Sequence, residues 1–327
     1  MAIAEAYVGG ISLNLRKDLA PRAEVTATVK HGEKLEILAY RRRFAKVRTQ
    51  SGAEGWTDGR QLLTPEQMAR LRRSAERAAT VGSQGKMTPF DLLNVHIEAQ
   101  RQSPTFYQLQ EGESADLIGH RVTPRHAPPA GTPLPPDAPM DSWSLVRLKD
   151  GRPGWVLSRM MMMAIPDEVG QYAEGHHITA YFPLGSVEDQ GQTRQHWLWT
   201  TIQSRINPYH FDSFRVFVWS TRRHRYETAY IERNLKGYYP IEVHPMLEGA
   251  TMPRFSLIFS ARDGVLYRRT YEFQGYHVRQ IEKTAWQLPR EEEEDSTPAA
   301  PAPPPPKDSS GGLLARVKDK LKDLFNR

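Results

Sequence analysis

The sequence predicts an all-β protein built on a tandem repeat, and three observations carry that expectation. A hairpin signature occurs twice, the spacing upstream of each copy is the same, and a further run of short apolar segments follows the second copy. Two helical patterns interrupt the strands, one between the copies and one at the C-terminus.

The first hairpin reads Phe44-Ala45-Lys46-Val47-Arg48, a polar glycine turn, then Gly55-Trp56-Thr57. The second reads Trp143-Ser144-Leu145-Val146-Arg147, another glycine turn, then Gly154-Trp155-Val156. In each, an aromatic residue leads an alternating strand and Gly-Trp opens the next. Upstream, Leu13-Asn14-Leu15-Arg16 stands 19 residues before Gly32, and Leu93-Asn94-Val95-His96 stands 19 before Gly112. Each glycine precedes Glu and an apolar strand. The copies differ in length by a proline-rich stretch, residues 123–141, which is expected as a loop insertion between two strands.

This order of Leu-Asn-Leu-Arg, Gly-Glu-x-Leu-x-Ile, Phe-x-x-Val-Arg and Gly-Trp resembles the bacterial Src-homology-3 (SH3-like, SH3b) domain. The resemblance covers about residues 6–63 and 90–165, the second domain being expected over 90–168, with His96 replacing the usual Arg in the second copy. It implies two small five-stranded barrels of a family that commonly binds cell-wall peptides or glycans. A barrel alone does not establish that use, since one fold hosts many functions. The groove residues it suggests are Tyr7, Phe44 and Trp56 in the first copy and Tyr107, Trp143 and Trp155 in the second. Arg16, Arg48 and Arg147 join them as candidates to hold carboxylates. Core packing is the competing expectation for the tryptophans.

Residues 64–89 link the copies. Thr64 is placed as N-cap, Pro65 at the first helical position and Gln67 at the reciprocal capping position, so a helix is expected from Pro65 to about Ala79. Its four arginines read as a solvated face. The run Met160-Met161-Met162-Met163 is expected at a strand end, where neighbours point to opposite faces and at most two share a side.

Residues 169–289 form a third β unit, sandwich-like or barrel-like, with strands at Phe214–Trp219, Phe255–Phe259 and, after the Asp263-Gly264 turn, Val265–Phe273. Residues 290–312, with four glutamates, two aspartates and a proline run, read as a disordered linker. In residues 313–327 an apolar arc of Leu313, Leu314, Val317, Leu321, Leu324 and Phe325 predicts an amphipathic helix. It is too short to be stable alone and is expected to dock on a membrane surface or a protein groove.

Several function classes fall away. The chain has no cysteine, which removes thiolate nucleophiles, disulfides and cysteine-based zinc sites. No His-Glu-x-x-His, phosphate loop or Gly-x-Ser-x-Gly elbow occurs, so no catalytic residue, metal or cofactor is assigned. His176-His177 and the His224/Glu227 segment are the densest titratable clusters, the latter expected as charges on a hairpin. The net charge is +6 but spread over segments separated by acidic ones, which disfavours nucleic acid. The first residues carry neither the basic stretch nor the apolar run of a secretory leader, and no segment has the length of a membrane span. The resemblance points to a non-enzymatic bacterial cell-envelope binding or scaffold protein, periplasmic or extracytoplasmic. The alternative is an intracellular scaffold that binds peptide segments, its C-terminal helix recruiting a partner or membrane. An unrecognised enzyme within 169–289 is the third.

Overall fold

The computed structural model describes residues 2–20, 22–126, 128, 131–244 and 253–287. The expected disordered linker and C-terminal amphipathic helix, residues 290–327, lie outside the described residues. The protein is all-β, and its sheets are antiparallel. Two compact units divide the described chain at Met68/Ala69.

The first unit carries β1 (Ala4–Val8), β2 (Ser12–Arg16), β3 (Val25–Lys30), β4 (Lys34–Arg41), β5 (Phe44–Thr49), β6 (Glu54–Asp58) and β7 (Leu62–Leu63). They form one sheet in the order β3-β2-β6-β5-β4-β1-β7. In the second unit come β8 (Lys86–Pro89), β9 (Leu93–His96), β10 (Thr105–Leu109), β11 (Ala115–Pro124), β12 (Met140–Arg147), β13 (Pro153–Leu157) and β14 (Met161–Met163). Their order, β10-β9-β13-β12-β11-β8-β14, repeats the first strand for strand. A single 3-10 turn precedes the last strand in both, Gly59–Gln61 and Ser158–Met160. Each sheet has seven strands where five were expected, because the opening strand and the short strand after the 3-10 turn pair with each other.

The Gly-Trp motif has a packing cause. A Cβ on Gly55 would lie 2.8 Å from Leu15 Cβ and from Thr26 Oγ1, and one on Gly154 would lie 2.3 Å from Val95 Cγ1 and 2.8 Å from the Phe106 ring. Both glycines let one strand cross closely over the buried Leu or Val of β2 or β9. Alternation then turns Ala45 and Val47, or Val146, inward and leaves Phe44, Lys46 and Arg48 on the outer face.

Helix α1 (Pro65–Thr80) starts as its sequence predicts. The Thr64 backbone N–H donates to Gln67 Oε1 (2.9 Å), and the Gln67 N–H donates to Thr64 Oγ1 (3.2 Å). Among the described residues no helix is long and apolar enough to cross a membrane. The methionine run divides as expected: Met161 and Met163 are buried and Met162 between them is exposed.

After α2 (Asp167–Gly170), two four-stranded meanders follow in sequence order. The first holds β15 (His177–Asp189), β16 (Gln192–Ile202), β17 (Ser213–Ser220) and β18 (Arg225–Glu232). The second holds β19 (Gly237–His244), β20 (Arg254–Ser260), β21 (Leu266–Gln274) and β22 (His277–Trp286). Phe214 of the first packs on Phe255 and Tyr271 of the second, whose rings stack at 5.3 Å.

The hydrophobic core does not stop at the expected boundary near residue 168. One cluster runs from Met87, Val95, Val146 and Met161 to Ala180, Phe214, Ile241 and Phe255. Buried Gln84 seals the junction: its backbone N–H donates to the Leu117 carbonyl (2.7 Å), its carbonyl accepts from Tyr181 N–H (3.1 Å), and its side-chain Oε1 accepts from Ile241 N–H (2.9 Å). The segment expected only to end a helix therefore joins the second repeat to both meanders.

Gly55→Ala and Gly154→Ala should each cost about 1–3 kcal/mol in urea unfolding of the full chain. Gly82→Ala, with nothing within 4 Å of the added carbon, is the near-neutral control.

Candidate functional site: two outer faces and a buried histidine cavity

The outer face of the first sheet is set by register. Phe44 pairs with Asp58 and Arg41, Trp56 pairs with Lys46 and Arg16, and Arg48 pairs with Glu54 and Glu36. Phe44 and Trp56 are partly exposed, and the Arg43 guanidinium lies 4.9 Å from the Phe44 ring centre. The hairpin tip is basic. Arg42 adopts a left-handed conformation there, and Arg41 and Arg42 are exposed without an ion-pair partner among the described residues.

The arginines expected to hold a ligand carboxylate are engaged within the fold. Arg48 lies between Glu54 (3.4 Å) and Glu36 (3.6 Å). Arg16 Nη1 donates to the Ala23 carbonyl (2.8 Å), tying down the loop between β2 and β3. The same position of the second copy does the same work, His96 Nδ1 donating to the Ser103 carbonyl (3.0 Å). Tyr7 stands on β1, three strand positions from Trp56, and pairs with Lys34 and Leu63.

In the second copy one aromatic of the corresponding face is closed off, while Tyr107 and Trp155 stay partly exposed. Trp143, expected in a groove, has no exposed surface and packs edge-on against His96 at 5.3 Å. The ends of the insertion extend the β11/β12 ladder through Thr123 and Asp141, leaving a shorter loop than the sequence suggests. Asp141 then accepts two hydrogen bonds from Arg101 (2.6 and 2.9 Å), and Thr123 Oγ1 donates to the Ala99 carbonyl (2.7 Å), fastening the β9/β10 loop across these strands. Arg101, and secondarily Arg125, hold the Asp141 carboxyl below the usual range against the opposing effect of burial. Arg121 lies over Trp155 at 5.1 Å, and the Tyr107 hydroxyl donates to Glu113 (2.8 Å). Arg147 is structural: it donates to the Ala78 and Val81 carbonyls at the end of α1 (2.8 and 2.9 Å) and to Asp116 (3.3 Å). The groove expectation is thus corrected for Trp143 and Arg147.

The clusters weighed as catalytic are spread over the surface. His224 pairs with Asp189 (2.7 Å) and Glu227 with Arg223 (2.7 Å), both on an exposed hairpin end. No sequence pattern points to a different constellation, which joins the second repeat to the meanders. His120 of β11, His210 before β17, Arg205, Ser142, Ser144, Ser158 and Tyr239 border a cavity of about 40 Å³. His120 Nε2 and Ser142 Oγ are 2.9 Å apart, and the two imidazoles meet edge to face at 5.4 Å. The Tyr239 backbone N–H donates to His210 Nδ1 (2.9 Å), so the neutral ring carries its proton on Nε2. Only residues ninety apart in sequence make this pair, with no local spacing to announce it. Ser142 and His120 have the reach of a nucleophile and base. The cavity itself has room for a water or a small ion.

No protein-family model matches the chain, and no curated protein sequence matches it. Among solved structures, it aligns with an NlpC/P60 family protein from Bacillus cereus ATCC 10987 at 10% identity, covering 88% of this chain and 96% of that one, with a TM-score of 0.22. NlpC2 and NlpC1 from Trichomonas vaginalis align at 9% and 10% identity, each over 87% of this chain and over 98% and 94% of their own, both with TM-scores of 0.17. At these TM-scores the alignments carry no argument about this chain.

Two predictions follow from the buried groups. Trp143→Ala should cost about 3–5 kcal/mol of stability, read by urea unfolding, as expected for an emptied core position. Burial pushes the His120 imidazole down to about 4, with Arg205 adding repulsion, and His210 to about 3, with His120 adding repulsion. Both lie below the unfolded value of about 6.5, so the unfolded chain binds protons first and stability falls as pH drops through that value. The loss approaches about 1.4 kcal/mol per pH unit for each histidine, visible as a falling urea midpoint between about pH 6.5 and 4.5 that His120→Gln flattens.

Proposed function

We propose that this protein is a non-enzymatic cell-envelope binding protein in which the two repeats are SH3-like modules with divided roles. The first recognises a carboxylate-bearing cell-wall peptide or glycan, and the second serves as the structural base for the two meanders. The observation that carries this reading is the contrast between the equivalent positions Phe44 and Trp143, Trp155 being partly exposed like Trp56. Phe44 and Trp56 remain partly exposed beside Arg41 and Arg42, which have no ion-pair partner among the described residues, whereas Trp143 is fully buried.

Aromatic faces give a sugar or peptide backbone flat apolar contact. The exposed guanidiniums of the hairpin tip supply planar, charge-assisted donors for carboxylates. Arg16, Arg48 and Lys46 hold the face in shape through internal bonds and lie beside the ligand rather than forming its main anchors.

Co-sedimentation of the full chain with purified peptidoglycan sacculi tests the proposal. Saturable pelleting at physiological salt is expected. Trp56→Ala should weaken it about tenfold or more, the effect of losing a central aromatic anchor, with a small change in melting temperature. No pelleting, or equal pelleting by the variant, would refute the wall reading.

A further inference from the structure

The cavity between the second repeat and the meanders has an electrostatic peculiarity. Its lining contains Arg205, His120, His210 and the hydroxyl residues Ser142, Ser144, Ser158 and Thr179, against apolar Met87, Leu117, Met163, Ile178 and Ile202, and no carboxylate. Arg205 is partly buried. Its one hydrogen bond within the protein runs from Nη1 to the Ser158 carbonyl (3.2 Å), and it has no ion pair among the described residues. A guanidinium withdrawn from water without a counter-ion is costly, and folded proteins offset such a charge with a partner.

The remaining donors converge on the same space. His210 has its Nδ1 occupied by the Tyr239 N–H, which leaves its Nε2–H as a donor without a partner among the described residues. The Ser144 and Ser158 hydroxyls face one another at 2.9 Å and Ser142 bonds His120, so these hydroxyls are already ordered. Tyr239 does not contribute its hydroxyl, which donates to the Thr179 carbonyl (2.6 Å). Another cleft of this unit, about 110 Å³ around Arg215 and Arg233, contains Glu174 and Asp212 and so supplies its own counter-charge.

We propose that the Arg205/His120/His210 cavity is a binding site for one small monovalent anion of the halide class, chloride under ordinary conditions. The volume of about 40 Å³ suits a monatomic ion with at most a water beside it. Mixed donors and apolar walls favour a weakly hydrated halide over a strongly hydrated oxyanion. Because the site is bordered by residues of β11, β12 and β15 and of the loop before β17, the ion would strengthen the junction that Gln84 seals.

Chloride-35 NMR line broadening of the full chain tests this. Excess linewidth that saturating bromide removes is expected, falling at least tenfold in Arg205→Gln and retained in Arg152→Gln, which alters a surface arginine. Crystals of the unaltered protein grown in bromide give a second readout, should Arg205→Gln not fold. An anomalous peak within hydrogen-bonding distance of Arg205 is expected. Absence of that peak, or broadening indifferent to Arg205→Gln in a folded variant, would overturn the assignment.

Discussion

The architecture of residues 69–287 depends on one shared hydrophobic core. A seven-stranded sheet of this size buries few large side chains of its own, and here its inner face continues into the meanders through Met161, Ala180, Ile241 and Phe214. Gln84 makes that continuity specific. It presents a backbone N–H, a carbonyl and a side-chain carbonyl to three different segments, each of which would otherwise leave a buried polar group unpaired. The cavity at the same junction collects imidazoles, hydroxyls and a guanidinium, so polar chemistry, rather than further apolar packing, completes the contact.

That commitment separates the fates of two copies that are otherwise alike. Both use Gly-Trp to bring strands together, both place a ring or guanidinium nitrogen on a carbonyl seven residues ahead, and both set an arginine against a carboxylate on the neighbouring strand. In the second copy the arginine also takes the carbonyls at the end of α1, and the ends of the insertion fasten the β9/β10 loop. The first copy makes neither adjustment, which leaves its aromatic and basic outer face accessible.

Much of the fold was legible because it is written locally. The repeat spacing anticipated two sheets of one strand order, Thr64 and Gln67 announced their reciprocal bonds, and alternation sorted the methionines. The site was less legible, since exposure is a tertiary property. Phe44 and Trp143 occupy equivalent positions, and it is tertiary neighbours such as the His96 ring, beside the loop that Arg101–Asp141 and Thr123–Ala99 fasten, that set one of them apart as buried. Likewise Arg48 and Arg147 look equally available in sequence until Glu36, Glu54 and the end of α1 are placed beside them. The His120/His210 pair was invisible for the same reason, its members lying on different elements far apart in the chain.

Hydrogen exchange of the full chain with and without soluble peptidoglycan fragments tests the division of labour most directly. Slowed exchange confined to β5, β6 and the hairpin tip before them, with β12 and β13 unchanged, is the predicted footprint. Protection of β12 and β13, or fragment binding that leaves residues 41–58 untouched, would contradict it.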